Sequence, residues 1–270
     1  MEPHFPPEIE LEIFLVAYHT SSSADKLTFL QVSKRVSAWL VPLLYRVVSI
    51  KDSASRYPPV QSLEKYGTHV RYIFIRPSGI QMQDPLLSHC PYVRDLSFWF
   101  TLGTINPKIF DLPLSRLSIQ YLGRFEHQLK PIIQDVDQDT PRVRQWRLRI
   151  THLSMGSFDP DMGQLLSLFP NLTHLLFGAW NHPRIVQEAL KLCPRLEVMV
   201  WLLGSYRSRT ETLVEEDPQL APHFDDIRVV TISGYLALDW LRGTEGLDDM
   251  WVIAERKIQE RRALRSPGRI

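Results

Sequence analysis

The stretch Cys90-Pro91-Tyr92-Val93-Arg94-Asp95-Leu96 decides the fold, because its pattern of proline, valine or leucine, and a further apolar residue recurs along the chain. Proline cannot continue a preceding helix, and the short apolar run after it is typical of a strand. Three further copies keep this pattern: Thr140–Trp146, Phe169–Leu175 and Cys193–Met199. A looser copy lies at Leu112–Leu117, and copies without the proline lie at Val70–Ile73 and Ile227–Val230.

The spacing of these copies predicts the architecture. The four prolines lie 50, 29 and 24 residues apart, and the first interval contains the looser copy. A period in the twenties with one strand and one helix in each unit resembles an irregular leucine-rich repeat, which implies an α/β solenoid with parallel strands. A doubly wound α/β sheet is the alternative, although no glycine-rich turn follows any strand. We expect neighbouring parallel strands in chain order that start near Val70, Val93, Leu114, Val143, Leu172, Leu196 and Ile227.

Helical patterns separate these runs. They cover residues 84–89, 126–135, 161–169 and 183–192. A longer helical pattern covers residues 247–264, with Met250, Trp251 and Ile258 on its apolar side. Because the terminal unit of a repeat array must shield its apolar face from water, we expect this last helix to cap the final repeat.

The first fifty residues have a different pattern. Phe5–Phe14 contains two prolines followed by Glu8, which is typical of the start of a helix. Leu30–Arg46 gives another amphipathic segment. Two or three short helices bury too little apolar surface to be stable alone, so this unit requires a partner within the chain or in another protein.

This N-terminal pattern resembles the F-box, the helical module through which substrate receptors dock on the Skp adaptor of cullin–RING ubiquitin ligases. The resemblance is carried by Pro6-Pro7-Glu8-Ile9, Ile13-Phe14, Val32–Val36, Trp39 and Leu44-Tyr45-Arg46, and it is greatest to divergent F-box-like proteins of mushroom-forming fungi. It implies a docking module over residues 1–50 and a substrate-binding repeat domain over residues 60–270. It assigns the adaptor surface to Pro6, Pro7, Ile9, Ile13, Phe14, Val32, Trp39, Leu44 and Tyr45. The alternative is a plain binding scaffold in which this segment is only a cap.

The composition limits the remaining function classes. Hydrophobic residues make up 44% of the chain, which is enough for a substantial core. The formal net charge of +1 gives no general attraction to nucleic acid or to an anionic membrane. No apolar run reaches the roughly 18 residues of a membrane helix, and the N-terminus lacks a signal-peptide pattern. Cys90 and Cys193 lie in apolar surroundings, so we expect two buried free thiols and a cytoplasmic or nuclear location.

The sequence contains no recognisable catalytic pattern. Gly-x-Ser-x-Gly, the phosphate-binding loop and His-Glu-x-x-His are all absent, so we expect no catalysis, cofactor or metal.

Aromatic and arginine side chains, which anchor protein interfaces, instead follow several strand starts. We expect Arg147, Arg149, Trp180 and Trp201 to share one concave strand face and to bind a protein substrate. An α/β enzyme remains a third possibility, which a pocket with a buried pair of perturbed titratable residues would favour.

Overall fold

Eight parallel strands form one sheet in the computed structural model, which describes residues 5–50, 60–75, 84–98, 107–119, 140–156, 163–178, 183–203, 225–234 and 236–265. The strands are β1 Val47–Ile50, β2 Tyr72–Ile75, β3 Asp95–Phe98, β4 Arg116–Ile119, β5 His152–Met155, β6 His174–Gly178, β7 Val198–Leu203 and β8 Val229–Ser233. Each strand pairs with the next one in the chain, so the expected parallel order is confirmed. A doubly wound sheet would reverse its strand order, and this sheet does not.

Helices precede, connect and follow the strands. They are α1 Pro7–Thr20, α2 Ser23–Phe29, α3 Lys34–Leu44, α4 Val60–Tyr66, α5 Asp84–His89, α6 Pro141–Arg149, α7 Gly163–Ser167, α8 Pro183–Leu192, α9 Leu236–Thr244 and α10 Met250–Arg265, with 3-10 turns at Gly67–His69 and Pro107–Asp111. The helices expected at 84–89, 161–169 and 183–192 are present as α5, α7 and α8. The one expected at 126–135 lies outside the described residues.

One face of the sheet packs against α4–α8. Alternate strand residues point to this side, and the parallel register aligns them in rows such as Leu96, Leu117, Leu153 and Leu175. These rows and the apolar sides of the helices form one continuous buried core. Each leucine of this row has an apolar residue three positions earlier in the chain, for example Leu172 before Leu175. That residue lies in the same core, at the turn that leads into the strand. The repeated sequence pattern therefore reflects the packing of this one face of the sheet.

The opposite face of the sheet is covered by α9 and α10. Val198, Val200 and Ile232 of β7 and β8 pack there against α10 residues that include Met250 and Ile258. The last helix therefore packs against the final strands, but it does so on one face of the sheet and also reaches His174 of β6 through Glu255. Successive strand residues point to opposite faces, and the final strands are apolar on both, so their second face also requires a cover.

The sequence interpretation of Val143 is also wrong, because this residue lies in a helix. The Thr140 hydroxyl accepts a hydrogen bond from the Val143 backbone N–H, and Pro141 occupies the first helical turn of α6. Val143 and Trp146, three positions apart, form the buried side of that helix. The strand follows later, at His152–Met155. β1, which directly follows α3, has no counterpart among the expected strands.

Within the described ranges, no helix is both long and apolar enough to span a membrane.

Candidate functional site

The N-terminal helices α1–α3 enclose a small core of their own. Tyr18, Val36 and Leu40 are buried at its centre, and Phe14 and Trp39 pack against them. The Phe14 ring meets Phe29 edge-on, with 6.2 Å between the ring centroids. Ser22 and Ser33 cap α2 and α3 by accepting backbone hydrogen bonds from Asp25 and Val36. Phe14 and Trp39, both assigned to the adaptor surface by resemblance, thus contribute to the packing of the module itself.

Other residues of that assignment are exposed. Ile9 and Ile13 are 48% and 50% exposed, and Val16, one turn further on, is 62% exposed. Residues at these spacings share one side of a helix, so together they form an unpartnered apolar stripe on α1, called here the α1 stripe. Leu27 and Phe5 are also exposed, although the sequence interpretation did not select them.

The rest of the assigned adaptor residues differ in accessibility. Pro6, Pro7 and Val32 are exposed, whereas Leu44 and Tyr45 are half-buried at the end of α3. The Tyr45 ring stacks on Tyr66 of α4, with 4.1 Å between the ring centroids, and so faces the following part of the chain. The structure therefore separates the assigned set into exposed, internal and junction positions.

Of the four residues expected on a substrate surface, the three that the structure describes do not share one. Arg147 and Arg149 lie on α6 rather than on a strand, because the run at Val143 is helical. Trp201 of β7 is buried in the core against α4–α8, since its register position matches that of Phe177. Trp180 lies outside the described residues. The strand face on which we expected these residues is the one that α9 and α10 cover.

That covered face carries a row of polar residues that the sequence interpretation missed. Asp95, Arg116, His152 and His174 occupy matching positions on β3–β6. Each of these residues comes directly before a leucine of the buried row, and this shared position in the sequence could have identified them. Alternation along a strand turns these side chains away from the leucines and toward α9 and α10.

Polar contacts join this row to the C-terminal helices and to the loop between them. Arg116 Nη1 lies 3.1 Å from Asp249 Oδ2. Trp240 Nε1–H donates to Asp95 Oδ1 over 2.8 Å. His174 Nε2 lies 2.9 Å from Glu255 Oε1, and its ring stacks on His152 with 4.0 Å between centroids. Trp251 meets both imidazoles edge-on. The helices α9 and α10 and the loop between them therefore contact the polar residues of β3–β6 mainly through hydrogen bonds, ion pairs and aromatic rings.

A small cavity lies between this row and α9. Its volume is about 30 Å³, and its lining includes Asp95, Arg116, His152, Asp239 and Asp249. A cavity of this size holds roughly two water molecules. Two buried serine hydroxyls, Ser118 and Ser154, also line it and have no hydrogen-bond partner within the described part of the chain.

Burial shifts the titration of the groups around this cavity. It raises the pKa of Asp95 to about 6, against the opposing effect of the Trp240 hydrogen bond. Burial, followed by the neighbouring Asp249, raises the pKa of Asp239 to about 8. Burial and then His174 lower the pKa of His152 to about 2. At neutral pH, Asp239 is therefore mostly protonated and His152 is a neutral imidazole.

The groups do not form a metal centre. No cluster of three or more histidine, cysteine, aspartate or glutamate residues in the described ranges could hold an ion. Cys90 and Cys193 are free and buried, as expected from their apolar surroundings.

No family model matches the chain, and no curated protein matches it.

Proposed function

We propose that this protein is an F-box-like substrate receptor that docks on a Skp-type adaptor through α1–α3 and holds a protein substrate elsewhere on residues 60–270. The observation that carries this proposal is the α1 stripe, whose members Ile9 and Ile13 are also residues of the F-box resemblance. An apolar stripe left open on a small helical unit is typical of a surface that a partner covers.

The packing of the module supports docking over a purely internal cap. A cap would turn its apolar side chains toward the sheet, but Ile9, Ile13 and Val16 remain about half exposed or more. The module also has its own buried centre of Tyr18, Val36 and Leu40. Covering each exposed aliphatic side chain would contribute roughly 1 kcal/mol, at about 25 cal/mol per Å² of apolar area.

The test is direct binding of a purified Skp-type adaptor to the full chain by biolayer interferometry. Ile13→Asp should weaken adaptor binding by about 10-fold or more, because the interface would bury an unpaired carboxylate. Leu264→Asp is the matched control, since Leu264 is a 78% exposed aliphatic residue on α10, away from α1. Circular dichroism should show the same helical content in both variants.

Two results would contradict docking through α1. The first is equal adaptor binding by Ile13→Asp and Leu264→Asp. The second is the absence of adaptor binding by the unchanged chain, which would favour a scaffold whose N-terminal helices are only a cap.

An α/β enzyme is a second candidate, and the cavity beneath α9 is the specific observation that favours it. Two buried carboxyls with raised pKa values, Asp95 and Asp239, line this cavity together with the neutral His152. Sites for organic ligands usually enclose about 300–1,000 Å³, so a cavity of about 30 Å³ would require α9 to move before a substrate could enter. Turnover of chromogenic esters by the unchanged chain, lost in Asp239→Asn, would support the enzyme.

A further inference from the structure

Three arginines lie side by side where the first strands of the sheet begin. Arg46, Arg71 and Arg94 each directly precede a strand, β1, β2 and β3 respectively. The Arg71 backbone N–H donates to the Arg46 carbonyl over 2.9 Å, and the Arg94 N–H donates to the Arg71 carbonyl over the same distance. Neighbouring strands are about 4.8 Å apart, so the three backbone positions span roughly 10 Å. This set is called the arginine row.

Aromatic rings and carbonyls hold two of these guanidinium groups. Arg46 lies over the Tyr72 ring, 5.0 Å from its centroid, and donates to the Tyr72 hydroxyl. Arg71 lies over the Tyr92 ring at 5.3 Å and donates to the carbonyls of residues 68 and 70. These contacts orient the guanidinium groups without neutralising their charge.

The charge of the row is uncompensated within the described residues. No carboxylate there forms an ion pair with Arg46, Arg71 or Arg94. Arg94 is exposed, and Tyr92 beside it is 53% exposed. An anionic segment that runs along these three strand starts would gain charge-assisted hydrogen bonds from arginines that have no carboxylate partner there.

We propose that the arginine row binds an extended acidic segment of a protein partner, through carboxylate or phosphate oxyanions. Guanidinium groups match the planar geometry of both anions. A length of roughly 10 Å corresponds to about three residues of extended peptide at 3.3–3.6 Å each. The exposed Tyr92 ring would contact the apolar part of the same segment.

The continuation of the row explains why the partner is a short peptide segment and not a nucleic acid. The matching positions on the next strands are Ser115, Thr151 and Thr173, and the position after them is Glu197. The run of arginines therefore ends after three strands, and Glu197 before β7 is acidic; Arg228, which precedes β8, is already paired with Asp226. A nucleic-acid backbone would require a longer basic track, and the whole chain has a formal net charge of only +1.

This inference rests on the proposed function for one point, namely that the partner is a substrate. The sheet face beneath α9 and α10 is occupied, whereas the Arg94 and Tyr92 side chains at the start of β3 are exposed. Binding at the row requires no adaptor, so failure of adaptor docking and failure of peptide binding are separate results.

The experiment is fluorescence polarisation of the full chain with short labelled peptides: glutamate-rich, phosphoserine-containing, and uncharged serine–glycine. A single-stranded oligonucleotide is the fourth probe. Arg94→Ala should weaken binding of the glutamate-rich or phosphoserine peptide by about 10-fold or more, and which of the two binds more tightly identifies the anion. Because Arg94 is exposed and contributes no described side-chain contact, this variant should fold normally.

Arg262→Ala is the control, because it removes an equal charge from an exposed position on α10. Its affinity for both acidic peptides should match that of the unchanged chain. Four outcomes would overturn the proposal: no binding of either acidic peptide, equal losses in Arg94→Ala and Arg262→Ala, equal affinity for the uncharged peptide, or tighter binding of the oligonucleotide.

Discussion

Replacing Asp239 with asparagine should remove a specific part of the pH dependence of stability. Asp239 is 4% exposed and lines the cavity beneath α9, where one carboxyl oxygen accepts a hydrogen bond from the Met250 backbone N–H over 2.7 Å. Asparagine retains that acceptor and nearly the same volume but cannot ionise. The substitution therefore isolates the cost of ionising a buried carboxyl.

The sign and size of the effect follow from the shifted pKa. Burial and Asp249 raise the pKa of Asp239 from 3.8 to about 8, so the folded state binds the proton more tightly than the unfolded state. Stability must then fall as the pH rises between these two values. Between pH 7.0 and 8.5 this one group should lower the free energy of unfolding by about 1.3 kcal/mol, at 1.36 kcal/mol for each pKa unit.

Other shifted groups act mainly outside that pH range. The pKa of Asp95 is raised to about 6, so its effect has the same sign but is nearly complete by pH 7. His152 has a pKa lowered to about 2, so the unfolded state binds its proton more tightly and stability rises with pH up to about 6.5. Both groups are unchanged in Asp239→Asn, and their contributions cancel when the variant is compared with the unchanged chain.

The assay is urea unfolding, followed by tryptophan fluorescence at pH 7.0 and pH 8.5. The unchanged chain should lose about 1.3 kcal/mol more than Asp239→Asn across this interval. Glu245→Gln is the control, because Glu245 is an exposed carboxylate just beyond α9 and its replacement should leave the loss intact. Equal losses in the unchanged chain and Asp239→Asn would refute the conclusion that this carboxyl is buried and protonated.

Two further predictions concern buried groups. In urea titrations at pH 7, Trp240→Phe should lower the free energy of unfolding by about 1–3 kcal/mol more than Trp251→Phe does. The reason is that Trp240→Phe deprives the buried Asp95 carboxyl of its indole donor. Equal losses in the two variants would mean that ring volume alone matters. Cys90 and Cys193 should resist alkylation by iodoacetamide at pH 8. Burial raises the pKa of Cys90 from 9.0 to about 12 and that of Cys193 from 9.0 to about 11, which lowers their thiolate fractions roughly 1,000-fold and 100-fold. Rapid labelling of the folded chain would contradict their burial.

The sequence predicts one face of this sheet well because that face is repetitive. Rows such as Leu96, Leu117, Leu153 and Leu175 repeat with fixed spacing to a preceding apolar residue, so strand order and direction follow from the pattern. The prediction fails at Val143, where the same proline pattern starts a helix. The apolar spacing from Val143 to Trp146 is the same as in the other copies, so the distinguishing local signal is Thr140, which caps the helix at a position where the other three close copies have cysteine or phenylalanine.

The covered face could be predicted only in part, because its contacts join residues far apart in the sequence. Trp240 and Asp95 are 145 positions apart, and Arg116 and Asp249 are 133 apart. A polar residue before a leucine predicts only that the side chain points away from the core. Whether water, a substrate or a distant helix meets it depends on where the C-terminal segment packs, and local periodicity contains no information about that.

The distribution of polar and apolar residues on the covered face explains which parts of the molecule remain accessible to partners. α10 packs on the apolar half of the sheet, at β7 and β8, while contacts of α9 and the following loop cover the polar half as far as β2 through Trp240. This sheet face is thus occupied by the chain itself. At the opposite end, the described residues leave the α1 stripe and the arginine row accessible, and α3 leads directly into β1, where that row begins. If both proposals hold, an adaptor on α1 and an acidic segment at Arg94 would bind at the same end of the molecule. That is the arrangement a receptor requires if its substrate is to lie near the ligase.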